Sequence, residues 1–361
     1  MKTNFTHFTN QLSVAVVMLL FGFSTISCSK DDDAAIPSEP IPVSDIFAVG
    51  QNNASPSQEF FYKNNVKTML SVASNESAAP RAMFVDGDDV YIAGHVYVYP
   101  EGGDSYFQPC YWKNNVKVDL PFNTAIFGYA DAEAITVVDG DVYVTGVLSE
   151  SFGGGGIVLW KNGVLNYITG YSDTFTYRPY DICVYNNDIY ISGLAHNGTS
   201  IFAKYWKNGI ETSLSSNPSV SPSIVANQTG VHVLFAEYSG CCAITALKYS
   251  KDGVVKTIST QQPEFGKMTV KGNDVYITGS ERETGSTVNK ACYWKNGVKT
   301  ELPGGNTLVA TDVKVGANGD VFVASRLSGG GYSVLTYWKN NVPATLGSSS
   351  DNFSAFDINN K

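Results

Sequence analysis

The sequence predicts an all-β protein, a seven-bladed β-propeller made of four-stranded blades. Three observations support this prediction: a composition rich in Gly and aromatic residues, a motif that returns seven times, and incomplete units at both ends of the repeat array. The 361 residues include 34 Gly, 21 Tyr and 19 Phe, and only 16% of the residues are charged. This composition is typical of a packed β protein and argues against a disordered chain.

The repeat has two landmarks, a Tyr-Trp-Lys-Asn-Gly stretch and an Asp-Val-Tyr-Val-x-Gly stretch. The Trp position of the first stretch recurs at intervals of 50, 48, 46, 44, 44 and 44 residues. It is occupied by Tyr62, Trp112, Trp160, Trp206, Ser250, Trp294 and Trp338. A period in the mid-forties, combined with β patterning, indicates a solenoid or a propeller.

Each unit divides into four short strands, which we call A to D. Strand A has apolar residues two apart, such as Ile135 and Val137, and a tight Asp-Gly or Asn-rich turn joins it to strand B. Strand B is the Val-Tyr-Val run, and strand C ends in Tyr-Trp-Lys. The Asn-Gly or Asn-Asn pair that follows suits a two-residue hairpin turn into strand D, because Asn and Gly tolerate positive φ. The most repeated stretch is therefore expected to serve the fold.

All five Trp residues of the chain stand at this one position of the repeat. Adjacent Tyr and Trp residues on a strand point to opposite faces, and both faces of a propeller blade pack against neighbouring blades. We therefore expect the Trp side chains to be buried between blades, since a ligand-binding Trp would more typically occur once, in a loop.

The ends of the array distinguish a ring from an open rod. The first unit begins with strand B at residues 45–50, and the segment 353–361 is a strand A with no strand B after it. In a ring, residues 353–361 form the innermost strand of the blade whose other three strands span 45–72, which leaves no long open edge. The sequence therefore predicts a closed propeller over residues 45–361.

The first 44 residues carry targeting signals. An apolar run ends at Ser24-Thr25-Ile26-Ser27-Cys28, which resembles the lipobox of bacterial lipoproteins, and Cys28 is the expected lipidation site. The acidic run at 29–33 resembles the surface-export signal of Bacteroidetes lipoproteins. We expect a signal peptide at 1–27 and a lipidated, Pro-rich tether at 28–44, with an ordinary secretory peptide as the alternative. These resemblances imply an outer-membrane protein that faces the cell exterior and contacts the membrane only through its anchor.

The repeats themselves resemble those of NHL and kelch propellers. They are more closely similar to the Tyr-Trp-Lys-Asn-Gly repeats of Bacteroidetes surface lipoproteins, a largely uncharacterised group, and the likeness covers nearly all of residues 45–361. The resemblance implies a fold and a location but no activity.

A ligand site is expected on the face that carries the long connections. The connections between strands B and C and between strands D and A are long, aromatic and Gly-rich, as at 95–107 and 170–180. Variable loops on a rigid scaffold commonly carry function. We place at the channel mouth, just before strand A or close by, Arg81, Tyr129, Glu133, Tyr177, Arg178, Tyr180, Phe265 and Asp312.

Aromatic rings with a few polar groups suit a glycan or a peptide, so we expect a non-catalytic module that binds glycan or protein. The alternative is a glycan-acting hydrolase or lyase with its site at the channel mouth. A purely structural role, in which the aromatic residues only pack the loops together, is a third hypothesis.

Other classes of ligand are disfavoured. The net charge of −9 without Lys/Arg clusters argues against nucleic acid and anionic membrane surfaces. His95, His196 and His232 offer no convergent metal set, and we expect them to pack loops. The Asp-Gly turns could ligate calcium, but a hairpin alone explains them, so we predict no cofactor. We also expect the protein to be a monomer.

The cysteines after the signal suggest one strained disulfide at most. Cys110 and Cys292 occupy the same position in separate blades and are too far apart to pair. The adjacent Cys241 and Cys242 could form a vicinal disulfide in an oxidising location. The odd total leaves at least one free thiol, for which Cys183 is the best candidate.

Overall fold

The computed structural model describes residues 44–54, 58–150, 155–170, 176–240, 243–283, 285–331 and 333–359. The described residues form 28 β-strands arranged as seven four-stranded antiparallel sheets, which confirms the predicted seven-bladed propeller. Within these ranges, no helix is long and apolar enough to span a membrane.

The strands follow one another in the order that the repeat predicts. The first three are β1 (Ile46–Asn52), β2 (Glu59–Lys63) and β3 (Val66–Met69). Blade 1 contains β4 (Glu76–Asp86), β5 (Asp89–Val98), β6 (Tyr106–Lys113) and β7 (Val116–Asp119). Blade 2 contains β8 (Tyr129–Val138), β9 (Asp141–Ser149), β10 (Gly155–Lys161) and β11 (Val164–Tyr167). Blade 3 contains β12 (Thr176–Tyr185), β13 (Asp188–His196), β14 (Ile201–Lys207) and β15 (Ile210–Ser213).

The remaining blades repeat this arrangement. Blade 4 contains β16 (Ser219–Asn227), β17 (Gly230–Ser239), β18 (Ala243–Lys251) and β19 (Val254–Ser259). Blade 5 contains β20 (Glu264–Lys271), β21 (Asp274–Glu281), β22 (Lys290–Lys295) and β23 (Val298–Asn306). Blade 6 contains β24 (Leu308–Val315), β25 (Val321–Leu327), β26 (Leu335–Lys339) and β27 (Val342–Leu346). The last strand, β28 (Asp351–Ile358), belongs to blade 7 with β1–β3.

Blade 7 closes the ring as predicted. Strand β28 pairs antiparallel with β1 from Ile46↔Ile358 to Asn52↔Asp351, so it supplies the innermost strand of the sheet β28-β1-β2-β3. The Asp45 backbone N–H also donates a hydrogen bond to Asn359 Oδ1 at 2.6 Å. The two ends of the described chain are thereby joined by backbone pairing within one sheet.

The Lys-Asn pair of the repeat does more than turn a hairpin. In blade 1, Asn114 accepts a hydrogen bond from the Val90 N–H at 2.9 Å and donates one to Asp89 Oδ1 at 2.7 Å. Lys113 completes the group with an ion pair to Asp89 Oδ2 at 2.9 Å. The same contacts recur at Asp45/Lys63/Asn64, Asp141/Lys161/Asn162, Asp188/Lys207/Asn208, Asp274/Lys295/Asn296 and Asp320/Lys339/Asn340. This brace ties the turn after strand C to the start of strand B.

The Trp residues are buried between blades, as expected. Each of the five is at most 2% exposed. Three of them also donate an indole hydrogen bond to a backbone carbonyl of the preceding blade's end: Trp112 to Ser71 O, Trp160 to Pro121 O and Trp338 to Pro303 O, all at 2.8 Å. The repeated Trp therefore both packs the core and links successive blades.

Strand A is longer than predicted and carries a bulge in every blade. The register between strands A and B shifts at Pro80/Ala82 in blade 1 and at Ala132/Ala134 in blade 2, and at the equivalent point elsewhere. Arg81, Glu133 and Tyr180 are the bulged residues and lie within strand A, and Phe265 and Asp312 likewise lie within strands β20 and β24. The expectation that they precede strand A was wrong, because alternation of apolar residues does not extend across a bulge.

Cys110, Cys183 and Cys292 are free thiols, as predicted for Cys183. The Cys183 sulfur accepts a hydrogen bond from the Ala226 N–H at 3.2 Å, and burial raises the pKa of its thiol to about 12. The predicted disulfide between Cys241 and Cys242 lies outside the described residues.

Candidate functional site

A cavity of about 290 Å³ opens at the centre of the loop-bearing face. Residues of the innermost strands of blades 3 to 7 line it, together with residues of β25 and β26 in blade 6. Tyr180, Phe265 and Asp312, three of the residues predicted for the mouth, lie in its wall together with Asp181 and Lys267. The mouth cavity is therefore the centre of the candidate site.

A buried carboxylate organises the side chains on the blade 1–2 arc of this face. Asp131 is 0% exposed, and its Oδ2 accepts hydrogen bonds from Arg81 Nε and from the Tyr129 hydroxyl, both at 3.0 Å. Its Oδ1 lies 2.7 Å from His95 Nδ1. Arg81 and Tyr129 were predicted for the site, whereas Asp131 and His95 were not. We call these four residues the Asp131 cluster.

Burial and the neighbouring Asp131 carboxylate raise the pKa of Tyr129, so its phenol stays protonated and donates to Asp131. The Arg81 side chain is 38% exposed, and among the described residues its two terminal nitrogens have no partner. Asp131 thus fixes the inner nitrogen of Arg81 and leaves the outer edge of the guanidinium free to bind.

A second ion pair stands beside this cluster. Arg178 Nη2 lies 2.6 Å from Glu133 Oε1, although the two groups are not oriented for a hydrogen bond. The Glu133 side chain is 8% exposed, and burial and then Asp131 raise its pKa against the opposing effect of Arg178 and Arg81. The buried Arg178 Nε has no hydrogen-bond partner within the described residues. Both charges interact with Tyr180, which connects this pair to the mouth cavity.

The cavity wall in blades 5 and 6 contains charged groups deeper in the channel. Burial raises the pKa of Asp312, although Lys314 and Lys267 oppose the shift. Lys314 pairs with Asp357 at 3.3 Å. This part of the channel therefore carries charges of both signs, while Phe265 supplies apolar surface to the cavity wall.

Tyr177 does not join the predicted group. Its ring packs edge-on against Trp206, with centroids 6.0 Å apart, in the interface between blades 2 and 3. Tyr177 and Arg178 are adjacent on β12 and therefore point to opposite faces of the sheet. Arg178 instead pairs with Glu133 of blade 2.

An aromatic row extends outward from the Asp131 cluster. The rings of Tyr99, Tyr97, Phe107 and Tyr129 follow one another with centroid separations of 4.8, 4.9 and 4.9 Å. His95 packs edge-on against Phe107 at 5.1 Å. Edge-to-face contacts of this kind hold the rings in fixed orientations. The row gives the loop-bearing face a rigid aromatic surface beside the exposed edge of Arg81.

The other histidines have structural partners or lie apart from the cluster. His232 lies 2.6 Å from the Tyr249 hydroxyl and 2.8 Å from Thr229 Oγ1, in blade 4. His196 ends β13 in blade 3. Across the described ranges, no set of three or more His, Cys, Asp or Glu side chains is placed to hold a metal ion.

Two arginines that the sequence analysis did not select lie on the same face. Arg326 lines the mouth cavity and pairs with Glu264 at 3.3 Å. Arg282 donates from Nε to Asn289 Oδ1 at 2.8 Å, just after the end of β21. The signal that could have found them is their rarity, because the chain contains only four arginines.

No protein-family model and no curated protein matches the chain. Among solved structures it is similar to TolB from Acinetobacter baumannii, with 10% identity over 87% of this chain and 66% of TolB, at a TM-score of 0.44. A Mycobacterium tuberculosis puromycin-hydrolyzing peptidase gives 7% identity over 86% of this chain and 52% of the peptidase, at a TM-score of 0.53. An oligogalacturonate lyase in complex with manganese gives 7% identity over 85% of both chains, at a TM-score of 0.50. At such low identities, the likeness to the peptidase and to the lyase shows a shared fold alone, and this chain spans only about half of the peptidase.

Proposed function

We propose that the chain is a non-catalytic binding module that holds a glycan on its loop-bearing face, at the channel mouth. The observation that carries this proposal is the Asp131 cluster beside the aromatic row. Asp131 fixes the position of Arg81, whose outer edge faces solvent at 38% side-chain exposure, next to rings at fixed angles. Aromatic surface with a few preoriented polar groups is the common design of a small-ligand site.

The electrostatics of the cluster favour binding over catalysis. A raised pKa keeps Tyr129 from acting as a base near neutral pH, and the Asp131 carboxylate is committed to three neighbours. Glu133 is nearly enclosed beside Arg178, which leaves its carboxyl group little access to a ligand. These groups are arranged to hold one another in place.

The alternative, a glycan-acting lyase or hydrolase, is favoured by one observation. His95, Tyr129 and Arg81 meet at a single carboxylate, and residues of these three types can move protons and stabilise an anion. Turnover of a bound saccharide would establish this alternative.

The test is a screen of the full chain in mild detergent against neutral and acidic oligosaccharides, by calorimetry and by product analysis. We expect saturable binding without turnover. Arg81→Gln should weaken that binding by about tenfold, since it removes a charged hydrogen-bond donor. Lys256→Gln removes an equal charge from an exposed outer strand and should leave affinity unchanged. Equal affinity of Arg81→Gln and wild type would contradict the proposed site.

We further propose that residues 1–27 are a signal peptide and that acylated Cys28 anchors the protein at the outer surface. The support is the sequence Ser24–Cys28 followed by the acidic run. Cys28→Ala should move the protein from the membrane fraction to the soluble fraction, and it should abolish labelling with radioactive palmitate. Unchanged fractionation would exclude the acyl chain as its sole attachment.

A further inference from the structure

A second cavity, of about 600 Å³, adjoins the mouth cavity on the loop-bearing face. The two cavities share Phe265 and Arg326 in their walls. From there the second cavity extends past Pro263 to Arg282, on the side of blades 4 and 5. A ligand at the channel mouth therefore has a continuous path outward over Phe265.

The chain contains four arginines: Arg81 and Arg178 pair with Asp131 and Glu133, and Arg282 and Arg326 line the second cavity. Arg81 and Arg178 belong to blades 1 and 3, and Arg326 and Arg282 belong to blades 6 and 5, so the two pairs occupy separate arcs of the ring. Many of the lysines, in contrast, are braced against aspartates at the opposite ends of the strands, as Lys113 is against Asp89. The distribution concentrates guanidinium groups where the long loops are.

Each arginine is held from behind and keeps an exposed part. The side chains of Arg81, Arg178 and Arg326 are 38%, 43% and 45% exposed. Glu264 supports Arg326 and is itself hydrogen-bonded by Asn289 and Ser328. The supporting carboxylates of Asp131 and Glu133 are buried, whereas Glu264 is partly exposed. Arg326 also donates from Nη1 to the Leu327 carbonyl oxygen at 3.1 Å, so a ligand carboxylate would share this guanidinium with its protein partners.

Resting on the proposed function, we infer that the ligand is a saccharide chain with carboxylate groups along its length. It lies across the mouth, with one carboxylate at Arg81 and Arg178 and another at Arg326 and Arg282. A planar guanidinium matches a carboxylate with two parallel hydrogen bonds, a geometry that lysine cannot provide. Phe265, in the wall of both cavities, offers apolar surface to a sugar ring between these contacts, and the aromatic row continues beyond them on the Arg81 side.

The buried carboxylates offset much of the local positive charge. Recognition is therefore expected to depend on direct pairing with each guanidinium more than on a long-range field. This predicts a preference for carboxylates over charge in general, and a dependence on ligand length, because two separated arcs must be reached.

The experiment uses the full chain in mild detergent and measures affinity by calorimetry. The probes are uronic-acid oligomers of two lengths, the same oligomers with methyl-esterified carboxyl groups, and a sulfated polymer with a neutral backbone. We expect the ester to bind at least about tenfold more weakly than the free acid. Arg282→Gln and Arg326→Gln should each lower the affinity for the long oligomer by about tenfold and leave the affinity for the short oligomer unchanged. Lys256→Gln is the charge-matched control.

Each other outcome has a distinct meaning. Equal affinity for the acid and the ester would overturn the carboxylate assignment while leaving the proposed glycan site intact. Affinity for the sulfated polymer equal to that for the free acid would also overturn the carboxylate assignment. Full affinity of both arginine variants for the long oligomer would overturn the path through the second cavity. Binding of none of the acidic or neutral saccharides would contradict the proposed function itself. Melting curves of each variant verify that the propeller remains folded.

Discussion

A Cβ atom on Gly230 would lie only 2.3 Å from Asp252 Oδ2. Six blades place an Asp at the start of strand B and an Asn in the turn after strand C, whereas blade 4 has Gly230 and Asp252 at these positions. Asp252 Oδ1 still accepts the hydrogen bond from the first strand B amide, Val231 N, at 2.8 Å. In blade 4 the carboxylate of the brace therefore belongs to the turn residue, and only Gly at the start of strand B leaves room for it.

The two positions should be energetically coupled. Gly230→Asp alone places a second carboxylate against Asp252 at a backbone φ of 131°, and we expect a loss of about 2–3 kcal/mol in the free energy of unfolding. Adding Asp252→Asn restores the pair that the other blades use and should recover at least about 1 kcal/mol of that loss. Urea melts of the two single variants and the double variant measure the coupling. Strictly additive effects would show that the brace does not link these residues.

Gly146, which ends the strand B motif of blade 2, lies against the bulged part of strand A, where a larger residue should not fit. A Cβ on Gly146 would lie 2.0 Å from the Asp131 carbonyl oxygen and 2.8 Å from Trp160 Cζ3. We expect Gly146→Ala to lower the free energy of unfolding by about 3 kcal/mol or more, because neither the strand backbone nor the buried indole can move away. Denaturant melts compare it with Gly170→Ala, which meets no atom within 4 Å. Equal stability of the two variants would argue against the close approach.

The bulge also explains which parts of the molecule the sequence could predict. Strand order and Trp burial follow from turn chemistry and alternation, which are local, and ring closure follows from the incomplete units at the two ends of the array; all three are confirmed. The Asp131 cluster was predicted only in part. Asp131 and Arg81 are 50 residues apart and meet because neighbouring blades bring two bulged strands together. Tyr177 was misplaced because its position relative to Arg178 was judged by proximity in the sequence and not by strand face.

Ring closure should control the cooperativity of the whole propeller. Strand β28 contributes seven paired positions to β1, and removing residues 351–361 would expose the edge of β1 and the inner core of blade 7. We expect the truncated chain to melt at a much lower temperature and with a broader transition, since the neighbouring blades lose their packing surface. Removing only residues 360–361 is the control and should change neither quantity. An unaltered melting curve after the longer deletion would contradict the pairing of β28 with β1 as a source of stability.

Asp312 should make the propeller less stable as pH rises. Burial raises its pKa above the ordinary value of 3.8, so between these two values the native state holds a proton that the unfolded chain has released. Stability contributed by this group is therefore lost as pH increases through the raised pKa. Asp312→Asn keeps the acceptor that receives the Val313 N–H hydrogen bond and should raise the melting temperature at about pH 7, with the gain shrinking toward about pH 3.5.

Asp141 provides a control of opposite sign on the other face of the propeller. Hydrogen bonds from Lys161 and Asn162 lower the pKa of its carboxyl group, so its contribution is present above the unfolded value and lost as pH falls. Asp141→Asn should accordingly lower the melting temperature near neutral pH, with the difference closing in acid. Melting curves of the wild type and both variants at matched pH values give the two difference profiles. Parallel profiles would show that burial does not set the titration of Asp312, because a carboxyl group kept charged by Lys314 and Lys267 would behave as Asp141 does.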